Sequence, residues 1–370
     1  MSDARTEKNV TSALLLSPLR TIAYTCIFLI LTCACSGVPP ATNIDEGGYS
    51  DSGVSATDAT RNELDAHVEM MPDGASIEAH HDAEATPPNL CNGVYGLAED
   101  LGQPTYSELI EVSGIAASRT RDDRYWLHND SGHGPILYSV DGTGLGRGKL
   151  TIDVPAIDWE DIAIAQCPGQ TRSCIWIADI GDNNARRQNV FVYVVPEPNT
   201  DGDHERDILA TYTLTYEGGS RDAEAFFVSH DGLKMWVIEK NNDGQATVFE
   251  SHTSLIEDRN IEMKSVASLT TPGLDIDKGR MVTAGDLHPS GMRLLLRVYT
   301  GIYEYNLPSP YALSALPSLQ PTTVTLGPLS ERQGEAVCYS DSGQDVLSIS
   351  EDPDRREVQI LHGYRCESED

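Results

Sequence analysis

The feature that most constrains this chain is a repeat. Across residues 91–370 one pattern recurs about every 45 to 65 residues, the signature of a repeat architecture. A small or acidic pair enters an apolar strand, a turn follows, and a second apolar strand ends in polar residues. Five units are visible, opening on Ser113-Gly114-Ile115, Trp159-Glu160-Asp161, Ala223-Glu224-Ala225, Ala284-Gly285-Asp286 and Gly334-Glu335-Ala336. Their second strands are Tyr125 to Asp130, Cys174 to Asp182, Lys234 to Glu239, Arg293 to Tyr299 and Asp345 to Glu351. Turn pairs such as Asp231-Gly232, Ser290-Gly291 and Ser342-Gly343 separate the two strands, so each unit begins as a β-hairpin.

Third strands follow at Ile136 to Val140, Val190 to Val195, Thr247 to Ser251, Ile302 to Tyr305 and Val358 to Gly363. Outer strands are clear only at Leu209 to Tyr216 and Thr322 to Leu326. Strands in series, with no helical period long enough for crossover connections, predict an all-β fold: a β-propeller of four-stranded antiparallel blades. The count is five blades, with a sixth left open in the irregular stretches. Residues 91–112 are expected to complete the last blade. A β-sandwich is the competing arrangement.

Ahead of this domain, residues 1–34 predict a secretory signal peptide. Arg5, Lys8 and Arg20 precede the apolar stretch Thr21 to Leu31, which ends in Thr32-Cys33-Ala34-Cys35-Ser36-Gly37. A run of about eleven apolar residues falls well short of the roughly 20 a spanning helix needs. Its end resembles a bacterial lipobox. Cys35, preceded by Ala34, is the expected lipidation site (palmitate or a related acyl chain), with Cys33 the second candidate; Thr32 departs from the leucine usual there. Residues 35–90 are acidic and rich in Pro, Gly and Ala, with Arg61 their only Lys or Arg, and predict a disordered tether. His67, His80 and His81 are expected to be solvated parts of it. The chain is therefore expected at a bacterial cell envelope, periplasmic or outer surface, with the membrane as partner through a lipid anchor.

Export sets the redox compartment. Cys167 and Cys174 flank one hairpin turn, so a disulfide between them is expected, and Cys91 with Cys366 would fasten the two ends of a closed ring. Cys338, in the apolar stretch Ala336 to Tyr339, is expected to be a buried free thiol. A formal charge of −31 spread along the chain lacks the basic footprint of a nucleic-acid binder.

Ser113-Gly114-Ile115-Ala116, His128-Asn129-Asp130-Ser131-Gly132, Trp159-Glu160-Asp161-Ile162-Ala163, Ile180-Gly181-Asp182-Asn183 and Gly334-Glu335-Ala336 resemble a group of uncharacterised secreted bacterial β-propeller lipoproteins. The layout is more distantly similar to esterase-like phytase and gluconolactonase-type propellers, a resemblance that implies calcium at the ring's axis.

Reflection through each turn sets Ser113 opposite Asp130, Glu160 and Asp161 opposite Gly181 and Ile180, Glu224 opposite Glu239, Asp286 near Leu295, and Glu335 opposite Ser350. With the first strands innermost, Glu160, Asp161, Glu224, Asp286 and Glu335 would converge on one rim. So many carboxylates in a confined mouth must retain protons or hold a cation, and oxygen-only ligation suits calcium. Alternatively His128, Lys240 and Arg297 would pair with these acids. No nucleophile elbow or zinc-protease motif is present, Gly142 to Lys149 fails the phosphate-loop pattern, and Asp201 to Glu205 lacks the ordered ligands of a calcium loop. Two function classes follow: an envelope-anchored module binding a ligand or protein at the acidic rim, or a calcium-dependent hydrolase of phosphate or carboxylic esters.

Overall fold

Each expected hairpin forms in the computed structural model, which describes residues 90–92, 94–326, 331, 333–351 and 359–367. The signal peptide, Cys35 and residues 35–89 of the tether lie outside the described residues.

The described residues open with β1 (Val94–Tyr95) and β2 (Glu99–Gly102). A first antiparallel run comprises β3 (Val112–Ala117), β4 (Tyr125–Asn129), β5 (Ile136–Val140) and β6 (Gly146–Ile152). The second has β7 (Trp159–Gln166), β8 (Ser173–Asp179), β9 (Val190–Pro196) and, after the short β10 (His204–Arg206), β11 (Ala210–Tyr216). The third is β12 (Ala223–Val228), β13 (Met235–Glu239), β14 (Gln245–Ser251) and β15 (Asn260–Thr270). The fourth is β16 (Val282–Leu287), β17 (Arg293–Val298), β18 (Gly301–Asn306) and β19 (Thr322–Thr325). A last run, β20 (Gln333–Tyr339), β21 (Val346–Glu351) and β22 (Leu361–Tyr364), takes its fourth strand from β2, and β23 (Cys366–Glu367) pairs with β1. The fold is all-β and propeller-like.

Burial follows from the sequence pattern. First and second strands are apolar on both faces and almost wholly buried, as in Val112–Ala117 and Met235–Glu239. Outer strands alternate, as in Ala210–Tyr216, because only one face meets a neighbour. Five apolar clusters fill the spaces between runs. One lies between the first and second runs (Trp126, Leu150, Ile177), and the next, between second and third, stacks Trp176 on Tyr212 and reaches Phe226 and Val237. The third and fourth runs share Trp236 and Leu296, the fourth and last share Leu295 and Tyr339, and the last and first share Leu127 and Ile349. Every run thus packs against two others, and the ring closes.

Both expected disulfides are present. Cys91–Cys366 joins the ends of the ring beside the β1–β23 pair, and Cys167–Cys174 closes the β7–β8 hairpin. Cys338 is a free buried thiol. Two strands were hidden in the sequence. Gly146–Ile152 overlaps the glycine-rich stretch that fails as a phosphate loop, and Asn260–Thr270 carries enough outward polar side chains to read as loop. The acidic stretch at Asp201 leads into an edge strand, His204–Arg206, parallel to β6. Parallel pairing of β11 with β15 likewise joins the second and third runs at their outer edges.

Candidate functional site

Each first strand breaks register at the same place. Pairing skips Ser113 in β3, Glu160 in β7, Glu224 in β12, Thr283 in β16 and Glu335 in β20. A one-residue bulge turns a side chain to the other face of the sheet. Glu224 is therefore not opposite Glu239, which faces Ala223, and Glu335 is likewise not opposite Ser350, which faces Gly334. Asp161 faces Ala178 rather than Ile180, and only the expected Asp286–Leu295 register holds. Four of the bulged residues, Ser113, Glu160, Glu224 and Glu335, line one cavity of about 220 Å³.

Residues leaving the second strands complete its wall: Asp130 after β4, Lys240 after β13, Tyr299 after β17 and Glu351 at the end of β21. After β8 the corresponding region holds Gly181. A Cβ there would lie 2.0 Å from Glu160 Oε1 and 2.6 Å from Asp158 Oδ2, so only glycine leaves room for these two carboxylates to stand side by side. This gives the Ile180-Gly181-Asp182 motif a physical role. Asp130, Asp158 and Glu160 each present an oxygen within 4.8 Å of the others.

Among the described residues lining the cavity, Lys240 and Lys278 stand against Asp130, Glu160, Glu224, Glu335 and Glu351. Lys240 Nζ donates to Glu224 and stands 5.4 Å from the centroid of the Tyr299 ring. Gln333 Nε2 donates to Glu351 at 3.0 Å. Glu335 is 5% exposed, and its Oε2 has no hydrogen-bond partner among the described residues. Burial, then the neighbouring acids, push the carboxyls of Glu160 and Glu224 well above the usual range, and burial raises Glu335 although Lys240 opposes it. Burial and the adjacent Glu335 bring Glu351 up to about 8; burial and Asp130 bring Asp158 up to about 6. A carboxyl raised above the ambient pH holds its proton until a cation replaces it.

Two of the five expected carboxylates lie elsewhere. Asp161, one residue past the bulge, turns into the ring and accepts the backbone N–H groups of Ile162 at 2.9 Å, Phe226 at 3.1 Å and Gly285 at 3.3 Å. Asp286 sits three residues past Thr283 and accepts the Tyr339 N–H at 2.9 Å. Neither lines the cavity. The alternative ion pairs form only in part, since Lys240 alone meets a rim acid. Arg297 pairs with Glu331 at 2.6 Å. His128, fully buried edge-on to Trp159, is pushed down to about 4 by burial and is neutral at physiological pH.

Asp158 was missed as a site residue because it precedes the strand; its signal was the acidic run Asp158-Trp159-Glu160-Asp161. Asp130 and Glu351 were legible as hairpin partners of the rim. The Ser113 hydroxyl donates to the Glu160 carbonyl oxygen at 2.6 Å and lies 3.4 Å from the Glu160 carboxylate Oε2.

No family model matches the chain, and no curated protein does. Among solved structures, the fold is similar to the crystal structure of Chaetomium thermophilum Raptor, at 9% identity and a TM-score of 0.42. That match covers 75% of this chain, which spans 29% of the length of the other, and a likeness at this level carries no argument about function.

Proposed function

We propose that this chain is a bacterial envelope lipoprotein whose ring is a five-bladed propeller serving as a binding module, and that its axial cavity takes a positively charged ligand, calcium first among them. Five blades follow from the five runs, each entering the ring by one bulged strand, with β2 completing the last. Envelope tethering rests on the basic n-region, the short apolar stretch, Cys35 and the acidic linker.

The observation that carries the ligand reading is the convergence of Asp130, Asp158 and Glu160 beside the buried Glu335. These donors are all oxygens, the preference of a hard cation. The calcium ligands proposed are accordingly Asp130, Asp158 and Glu160, in place of the expected set of Glu160, Asp161, Glu224, Asp286 and Glu335.

Calorimetric titration of the folded protein with calcium chloride at pH 6.5 and pH 8 tests this. Binding should release protons and tighten as pH rises, because carboxyls with raised pKa must deprotonate to ligate. Calcium at a hundredfold excess over Kd should stabilise the fold by about 2.7 kcal/mol. Glu160→Gln and Asp158→Asn should each weaken binding. An absence of heat together with an unchanged melting temperature in millimolar calcium would refute the calcium assignment.

A further inference from the structure

The axial cavity is much larger than an ion requires. A water-sized object occupies roughly 30 Å³, against about 220 Å³ here. A second cleft of about 370 Å³ adjoins it and shares Lys278, Tyr299 and Gln333 with it. Together they reach the ~300–1,000 Å³ typical of small-molecule sites.

The two compartments differ in chemistry. The inner one ends on carboxylates, with Glu335 more than nine-tenths buried and Oε2 unpartnered among the described residues. The outer cleft sets Ile276, which is 62% exposed, Gly279 and the Tyr299 ring beside the polar Asp277, Thr300 and Gln333. Lys240 shows how this wall receives an ammonium group: a carboxylate of Glu224 on one side and the Tyr299 ring on another. Glu335, which faces Lys240 and Tyr299 as well, offers a second carboxylate acceptor. Lys278 stands at the exposed mouth, where water screens its charge.

We propose that cavity and cleft together bind a small organic ammonium compound, its charged head on Glu335 and the Tyr299 ring and its apolar body along Tyr299 and Ile276. This rests on the reading of the cavity as a site for positive ligands, and it gives the ligand a class that a bare metal ion does not satisfy. Acceptance of an ammonium N–H by a buried carboxylate discriminates against a neutral isostere, because a hydrogen bond to a charged group is stronger than one between neutral groups.

Calorimetry on the full chain with 2-phenylethylamine, its neutral counterpart 2-phenylethanol, and calcium chloride tests the proposal. The amine should bind about tenfold or more tightly than the alcohol, as expected for a charge-assisted contact. Tyr299→Leu should weaken the amine several-fold, and Glu335→Gln should remove most of the amine's advantage over the alcohol. The comparison of amine with alcohol needs only the unaltered protein, so a variant that misfolds does not rescue the idea. Equal binding of the two, or no amine binding while calcium binds, overturns the ammonium proposal and leaves the cation-binding reading standing. Failure of both amine and calcium overturns both.

Discussion

The carboxylate of Asp161 accepts the backbone N–H of Phe226 at 3.1 Å, tying the first strand of the second run to that of the third across 65 residues of sequence. The same oxygen accepts from Gly285 in the fourth run. An acidic side chain placed to look like a ligand is therefore a cross-brace of the ring.

Asp161→Ala leaves the buried N–H groups of Phe226 and Gly285, in the third and fourth runs, without this acceptor. Each orphaned donor costs about 1–3 kcal/mol, and relief from burying a carboxyl offsets part of the sum, so a net loss of about 2 kcal/mol is expected. Asp161→Asn keeps an acceptor oxygen and should lose less. Urea unfolding midpoints at constant slope measure both. A midpoint unchanged in Asp161→Ala would show that the brace contributes nothing.

Stability of the metal-free protein should fall between about pH 6.5 and pH 8. Glu351 is raised to about 8 in the fold. A raised carboxyl binds more protons folded than unfolded, so its contribution is complete below the unfolded value near 4.3 and is lost as pH rises through about 8. His128 and His288, both pushed down to about 4 by burial, act in the opposite sense, but only below about 6.5, where an unfolded histidine titrates. Glu351→Gln should flatten the decline above pH 6.5. Unfolding curves with chelator at pH 6.5, 7.2 and 8 provide the check, and a flat or rising trend contradicts the assignment.

The two disulfides should differ in effect. Loop-closure entropy gives about 6 kcal/mol for a loop as long as that closed by Cys91–Cys366 and about 2 kcal/mol for the short Cys167–Cys174 hairpin. Their sequence separations are 275 and 7. Paired serine variants, Cys91→Ser with Cys366→Ser and Cys167→Ser with Cys174→Ser, compared by denaturant unfolding, should preserve that order.

Fatty-acid labelling in a bacterial host should be lost in Cys35→Ala and kept in Cys33→Ala. Label that follows Cys33 instead moves the anchor by two residues, and label absent from the parent protein removes the anchor altogether.

The sequence by itself determined the repeating hairpins, the all-β class and both disulfides, because alternation, turn pairs and cysteine spacing are local properties. Pairs such as Asp231-Gly232 fix where a strand reverses whatever surrounds it. Membership of Glu160, Glu224 and Glu335 in one cavity was legible for the same reason: each opens a first strand. Reflection through the turns failed at the rim because pairing skips one residue in each first strand, and no side chain at Ser113 or Glu224 announces that shift. Only the closed ring decided which acids share space. A bulge is stabilised by what the displaced side chain meets across the axis, and a one-residue slip exchanges the two faces. Asp161 was thereby sent to the backbone of the third and fourth runs, and Asp158 was admitted beside Glu160 by the bare Cα of Gly181.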